Sequence, residues 1–138
     1  MPVSIQWDPK YSIHNESIDS EHQELFSLAN DVLAIEEPQR EPQRFKADVK
    51  KLFHYMEFHF RHEEELMERV RYPDRESHAA KHAEIVTLMN GLLSNCVSLP
   101  ELAASLRHVL IDWLLVHVAE EDAKITSSVD YFAAAGAD

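Results

Sequence analysis

Only two glycines occur in the 138 residues, so no glycine-rich loop is available to cradle a phosphate. The single cysteine, Cys96, cannot close an internal disulfide. That excludes a disulfide framework and fits a reducing compartment. Neither Gly-x-Ser-x-Gly nor Cys-x-x-Cys occurs. Positive charge is scarce as well: 13 Lys+Arg stand against 25 Asp+Glu, a net charge of −12. A field of that sign repels phosphate backbones and anionic lipid, so neither nucleic acid nor a membrane surface is an expected partner. No apolar run approaches the length of a bilayer span, Trp113-Leu114-Leu115-Val116 included. The opening stretch, residues 1–8, has neither the basic nor the apolar region of a signal peptide. The expectation is one soluble, acidic, cytoplasmic domain over residues 1–138, large enough to bury a core without staples.

Histidine, by contrast, is abundant, with nine in the chain. Their meaning depends on the helices that carry them. Four segments have helical periodicity separated by turn signals. The first runs from about Asp19 to Glu36, with Ser20 and Gln23 as a capping box and His22, Leu25/Phe26, Ala29 and Val32/Leu33 on one face. The second opens near Pro42 and ends at Tyr72-Pro73. Its stripe is Phe45, Val49, Leu52, Met56, His59, Glu63, Leu66/Met67 and Val70. The third, about Arg75 to Asn95, places His78, His82, Ile85, Met89 and Leu92/Leu93 together. Pro100 opens the fourth, whose face reads Leu102, Leu106, Val109/Leu110, Trp113/Leu114 and His117. Nothing alternates with period two. The fold class expected is all-α: an antiparallel up-down four-helix bundle over about 18–130, with an extended N-terminal arm over about 1–17 whose aromatics pack on the bundle. A tandem Glu-Pro-Gln-Arg over 37–44 breaks the first link, and the alanine-rich end, 133–137, is expected to fray.

Each predicted helix thus carries a histidine on the face that should be buried. One core histidine is ordinarily satisfied by a hydrogen bond. Burying His22, His59, Glu63, His78, His82 and His117 together without a cation would cost several kcal/mol in desolvation. A metal removes that cost. His59/Glu63 and His78/His82 are each four residues apart, so each pair stacks on one helix face and can chelate an ion. Imidazole mixed with carboxylate, without thiolate, points away from structural zinc. The donors outnumber the needs of one ion, which favours two metals bridged by carboxylate. The acid on the fourth helix is left open by periodicity. Glu121 is four residues past His117, whereas Asp122 is five past it, about 140° round an ideal helix. Bare helix geometry prefers Glu121, or a helix end that lets Asp122 swing in.

Trp7, Ile18-Asp19-Ser20-Glu21-His22 with Leu25-Phe26, His59-Phe60-Arg61-His62-Glu63-Glu64, Met67, Tyr72-Pro73, His78 with His82, and Trp113 to His117 with Asp122 together resemble a hemerythrin of the bacterial single-domain kind, across nearly the whole chain. The resemblance implies two iron ions bridged by an oxo or hydroxo group, with dioxygen as ligand and partner. His78, His82 and His117 would hold one ion and His22 and His59 the other, with Glu63 and Asp122 bridging. It therefore selects Asp122 over Glu121. One coordination position is then left open, on the ion with two histidines. The matching oxygen-pocket residues are Leu25, Phe60, Trp113, Leu114 and Val118, all apolar.

The implied function is reversible oxygen binding for storage, delivery or sensing, not catalysis, with an oxygen-consuming protein as a recipient that the sequence does not identify. The competing classes are a di-iron oxidase or peroxidase and an iron- or nitric-oxide-binding protein. The Glu-x-x-His motif of ferritin-like di-iron sites occurs nowhere in the chain, which counts against the enzyme. His14, His54, His62 and His108 fall outside the ligand pattern and are expected at the surface or behind the ligands. His14 stands where relatives more often have a small residue. Cys96 is expected to pack as a small hydrophobe.

Overall fold

The computed structural model describes residues 4–132, so the expected fraying of 133–137 lies outside the described residues. Helix α1 spans Glu16–Leu33, α2 Pro42–Arg69, α3 Arg75–Asn95 and α4 Leu99–His108. No strand occurs among the described residues. Short links between long helices force consecutive helices to run antiparallel. The contacts α1 with α2, α2 with α3, α3 with α4 and α4 with α1 close the ring of a four-helix bundle.

Local chemistry sets the helix ends. The first helix starts three residues earlier than the pattern suggests. Asn15 is its cap, its Oδ1 accepting from the Ile18 amide at 3.0 Å. Ser20 therefore lies inside α1, and the capping box expected there does not form. Asp19 is occupied with the arm instead, accepting from the Ile13 amide at 2.9 Å and from the Ser12 hydroxyl. A Ser-x-x-Glu pair caps α4: Ser98 Oγ accepts from the Glu101 amide, and Glu101 reaches back to the Val97 amide at 2.8 Å. At the end of α2 the Tyr72 amide reaches Met67 O and the Arg71 amide reaches Glu68 O, with Arg71 left-handed at φ 57°. This is a Schellman closure, and Pro73 then bars any return to helix.

Beyond His108 the fourth helix continues to Ser127 in altered form. Val109–Leu114 and His117–Asp122 are π-helical, and Ala123–Ser127 tightens to a 3-10 turn. By length and composition Leu99–Ser127 is apolar enough to cross a membrane, which counting uninterrupted apolar runs does not reveal. In the bundle, however, Leu102, Leu106, Leu110, Leu114 and Val118 from this stretch are buried in the core.

The stripes read from the sequence are the buried faces, except at Trp113 on the fourth helix, which is half-buried, and at the end of α3. Leu92 is half-buried and Leu93 is 46% exposed, because α3 ends beside an open cleft lined by Phe45, Val49, Leu93 and Leu102. Among the described residues, the buried apolar side chains form two clusters. The larger runs from Ile5 and Phe26 through Leu52 and Met56 to Leu114 and Val118. The smaller gathers Ile13, Ile18, Leu66, Met67, Val70, Tyr72, Ile125 and Tyr131. In sequence the polar residues of α2 and α4 fall between them, after Met56 and before Leu66 on α2, after Leu114 and before Ile125 on α4. The arm packs as expected. Ile5 exchanges both backbone hydrogen bonds with the Asn30 amide group at 2.8 Å, and Trp7 lies edge-on to Tyr11 and Phe26 and 6.3 Å from the His22 ring.

Candidate metal centre

At the band between the clusters, His22, His59, Glu63, His78, His82, His117 and Asp122 converge, none more than 4% exposed. All four helical segments contribute, so the predicted ligand set is brought together in full. Glu63 stands at its centre. Its Oε1 lies 2.8 Å from His78 Nε2 and 3.2 Å from His82 Nε2. Its Oε2 faces the other way, 3.4 Å from His22 Nε2 and 3.3 Å from His59 Nε2. Asp122 repeats the division, with Oδ1 3.0 Å from both His78 and His117 Nε2 and Oδ2 2.9 Å from His22 Nε2. Two groups result: His78, His82 and His117 with one oxygen of each acid, and His22 and His59 with the other. Within each group the candidate ligand atoms lie within 4.8 Å of one another.

The Asp122 position follows from the π-helical turn. Wider winding over His117–Asp122 bonds residues five apart, and so carries Asp122 back beneath His117. Glu121 is turned outward, where Lys81 Nζ meets it at 2.9 Å and Lys124 at 3.4 Å. Those lysines, Lys81 first, hold its carboxyl below the usual range. The preference of an ideal helix for Glu121 is thus overturned by a local change of winding.

Electrostatics and hydrogen bonding both show a site short of positive charge. Burial disfavours the imidazolium of His22, yet Asp122 and Glu63 raise it to about 10. His78 is likewise raised to about 9 against burial by the same two acids. Burial is also outweighed at His59, which Glu21 and Glu63 raise. Glu63 is held well below its ordinary value by the surrounding imidazoles despite complete burial, and Asp122 is lowered by His117 and His22. Even so, His22 Nε2, Glu63 Oε2 and both Asp122 oxygens are buried with no hydrogen-bond partner. His82 Nε2 and His117 Nε2 face each other at 3.0 Å. Buried polar atoms left without a partner, together with two imidazole nitrogens facing each other, are what a cation satisfies. The residues present therefore fit a metal centre of nitrogen and oxygen ligands.

Two further carboxylates, which periodicity does not pick out, hold two of the candidate ligand rings. Glu21 Oε1 accepts from His59 Nδ1 at 2.7 Å, and Glu64 Oε2 from His82 Nδ1 at 2.9 Å. Each sits beside a candidate ligand in sequence, Glu21 before His22 and Glu64 after Glu63, and adjacency was the available signal. Of the residues named for an oxygen pocket, Leu25, Phe60, Leu114 and Val118 are in the larger core and half-buried Trp113 packs against it. Phe60 stacks on His82 at 3.9 Å and Trp113 on His117 at 4.5 Å, while Leu25, Leu114 and Val118 are at most 1% exposed. Of the remaining histidines, His62 bonds Glu21, His108 pairs with Asp112 at 2.7 Å, and His14 and His54 are exposed. His14 is left-handed at φ 58°, a conformation that glycine, lacking a Cβ, adopts with less strain. Cys96 is free and packs half-buried against the larger core.

Comparison with known proteins agrees with this geometry. Residues 14–127 match the family model described as the hemerythrin HHE cation binding domain. The chain is 27% identical over 124 residues to a myohemerythrin of Theromyzon tessulatum, covering 90% of this chain and 92% of that protein. It is 25% identical over 125 residues to a hemerythrin-like protein of Naegleria gruberi, with 90% and 92% covered. A bacteriohemerythrin of Campylobacter jejuni subsp. jejuni is 25% identical over 115 residues, with 83% and 86% covered.

Proposed function

Because the chain belongs to the hemerythrin family, we propose that it binds dioxygen reversibly at a non-haem centre of two iron ions, for oxygen storage, delivery or sensing in the cytoplasm. The observation that carries the reading is the division of the Glu63 and Asp122 oxygens between two histidine sets. His78, His82 and His117 would hold one ion, His22 and His59 the other, and the two acids would bridge them. When bound, the iron pair supplies the electrons that reversible dioxygen binding requires.

The chain's own residues then account for binding in preference to bond cleavage. The three-histidine group has one more protein ligand than the two-histidine group, so the latter is the side on which an exogenous ligand has room. Phe60 and Trp113 stack on the His82 and His117 rings of the three-histidine group, and Leu25, Leu114 and Val118 are buried apolar side chains of the same core. None of these five side chains is a carboxylic acid or an imidazole able to hand protons to bound oxygen. With only apolar side chains offered there, cleavage of the O–O bond would lack its proton source.

Reconstitution with ferrous iron in the absence of air, followed by oxygen addition and removal, tests the proposal. A visible charge-transfer band that appears with oxygen and disappears when oxygen is withdrawn supports it. Irreversible oxidation with turnover of a reductant would instead identify an enzyme.

A further inference from the structure

The two histidine groups are supported from behind in different ways. On the three-histidine side, Glu64 holds His82 with a side chain that is 41% exposed. On the two-histidine side, Glu21 is 7% exposed and both of its oxygens are committed. Oε1 accepts from Nδ1 of His59 at 2.7 Å and Oε2 from Nδ1 of His62 at 2.5 Å. His62 is itself half-buried beside Phe58, with ring centroids 6.4 Å apart. One carboxylate of α1 is therefore fixed by two imidazoles one turn apart on α2.

We infer that Glu21 is a positioning residue for the two-histidine side, clamped by His62, and that it governs the second metal equivalent selectively. An imidazole that donates from Nδ1 carries its proton there and presents the Nε2 lone pair. With Nδ1–H given to Glu21, the Nε2 of His59 is free and faces Glu63 Oε2 at 3.3 Å. Were Glu21 held by His59 alone, it could rotate. The second bond, to His62, fixes the plane of the carboxylate and hence the angle of the His59 ring. This inference rests on the two-metal reading and adds an order of filling. The group with three histidines offers five protein donors and fills first, while the group with two offers four and depends on Glu21.

Glutamine at position 21 is the discriminating change, because it keeps the shape and reverses half of the hydrogen-bonding sense. Its oxygen can accept from one Nδ1–H, but its NH2 group then meets the other. Either His59 loses its acceptor or His62 does. Cobalt(II), added to the metal-free full-length chain without air and followed by its visible bands, counts the two equivalents separately. For Glu21→Gln the expected result is an unchanged first equivalent and a second weakened about 10- to 100-fold. In the zinc-loaded protein, the low-field Nδ1–H proton resonance of His59 is expected in the original chain and lost or displaced in the variant. His62→Phe removes the clamp but not the acceptor. It is expected to weaken the second equivalent less than Glu21→Gln does, and it carries the test alone if the glutamine variant does not fold. An unchanged second equivalent in the folded variants, or equal weakening of both equivalents, overturns the assignment of Glu21. Fewer than two cobalt ions in the original chain would instead overturn the two-metal reading on which the assignment stands.

Discussion

Metal loading at this centre must release protons, and the structure sets how many. In the metal-free protein the Asp122 and Glu63 carboxylates raise His22 to about 10 and His78 to about 9, so both are protonated at pH 7. The carboxylates themselves are held low and are already ionised there, contributing no protons. Each metal–imidazole bond has to displace the proton it replaces. Full loading at pH 7 should therefore release about two protons from these rings. The sign follows directly. Lowering the pH below 9 stabilises the protonated competitor, so the apparent affinity for the full complement falls about 100-fold per pH unit for two linked protons. Above pH 10 the rings are already neutral and the dependence flattens. Zinc or cobalt titration in weakly buffered solution with a pH indicator counts the protons. Isothermal titration in two buffers of different ionisation enthalpy counts them independently. Release of fewer than one proton per loaded chain, or affinity independent of pH between 6 and 9, would refute the charge balance described here.

Four substitutions follow from the same geometry. Asp122→Asn should lower metal occupancy sharply, whereas Glu121→Gln should leave it within about twofold, since Glu121 faces Lys81 and Lys124; metal analysis after desalting distinguishes them, and the opposite ranking would contradict the π-helical placement. Val118→Glu introduces a carboxylic acid at a position only 1% exposed, and should raise peroxide turnover with a reductant about 10-fold or more; unchanged autoxidation and turnover in folded protein would remove Val118 from the pocket. Arg71→Gly relieves a left-handed residue whose 85% exposed side chain only approaches Asp130 at 4.0 Å, and should stabilise the chain by about 0.5–1 kcal/mol. Thermal unfolding measures that change, and a lower melting temperature would contradict the reading of Arg71 as a strained cap.

The fold was legible because its signal is periodic and repeated. The stripe of α2 from Phe45 to Val70 is buried at every position named, and α3 begins and ends where the pattern places it. The convergence of the candidate-site residues was legible for the opposite reason: His22, His59, His78, His82 and His117 violate the polarity of their faces, and a violation repeated on every helix points to a shared cause. What the sequence left unresolved depends on choices between nearby alternatives. Asn15 and Ser20 are both good caps, and only packing of the arm through Asp19 selects Asn15. Glu121 and Asp122 differ by one residue, and only the winding after Val116 decides between them. Glu21 and Glu64 look like ordinary surface acids until the rings of His59 and His82 are in place. Their roles require the assembled bundle, because each reaches a histidine on another helix.

Iron content tests the central claim most directly. The chain loaded with ferrous iron without air, freed of excess metal and measured for iron and protein together, should hold two irons per chain, with low-temperature Mössbauer spectra showing two inequivalent sites in equal amount. One iron per chain, or a single zinc retained in preference to iron, would contradict a centre built from two histidine groups sharing Glu63 and Asp122.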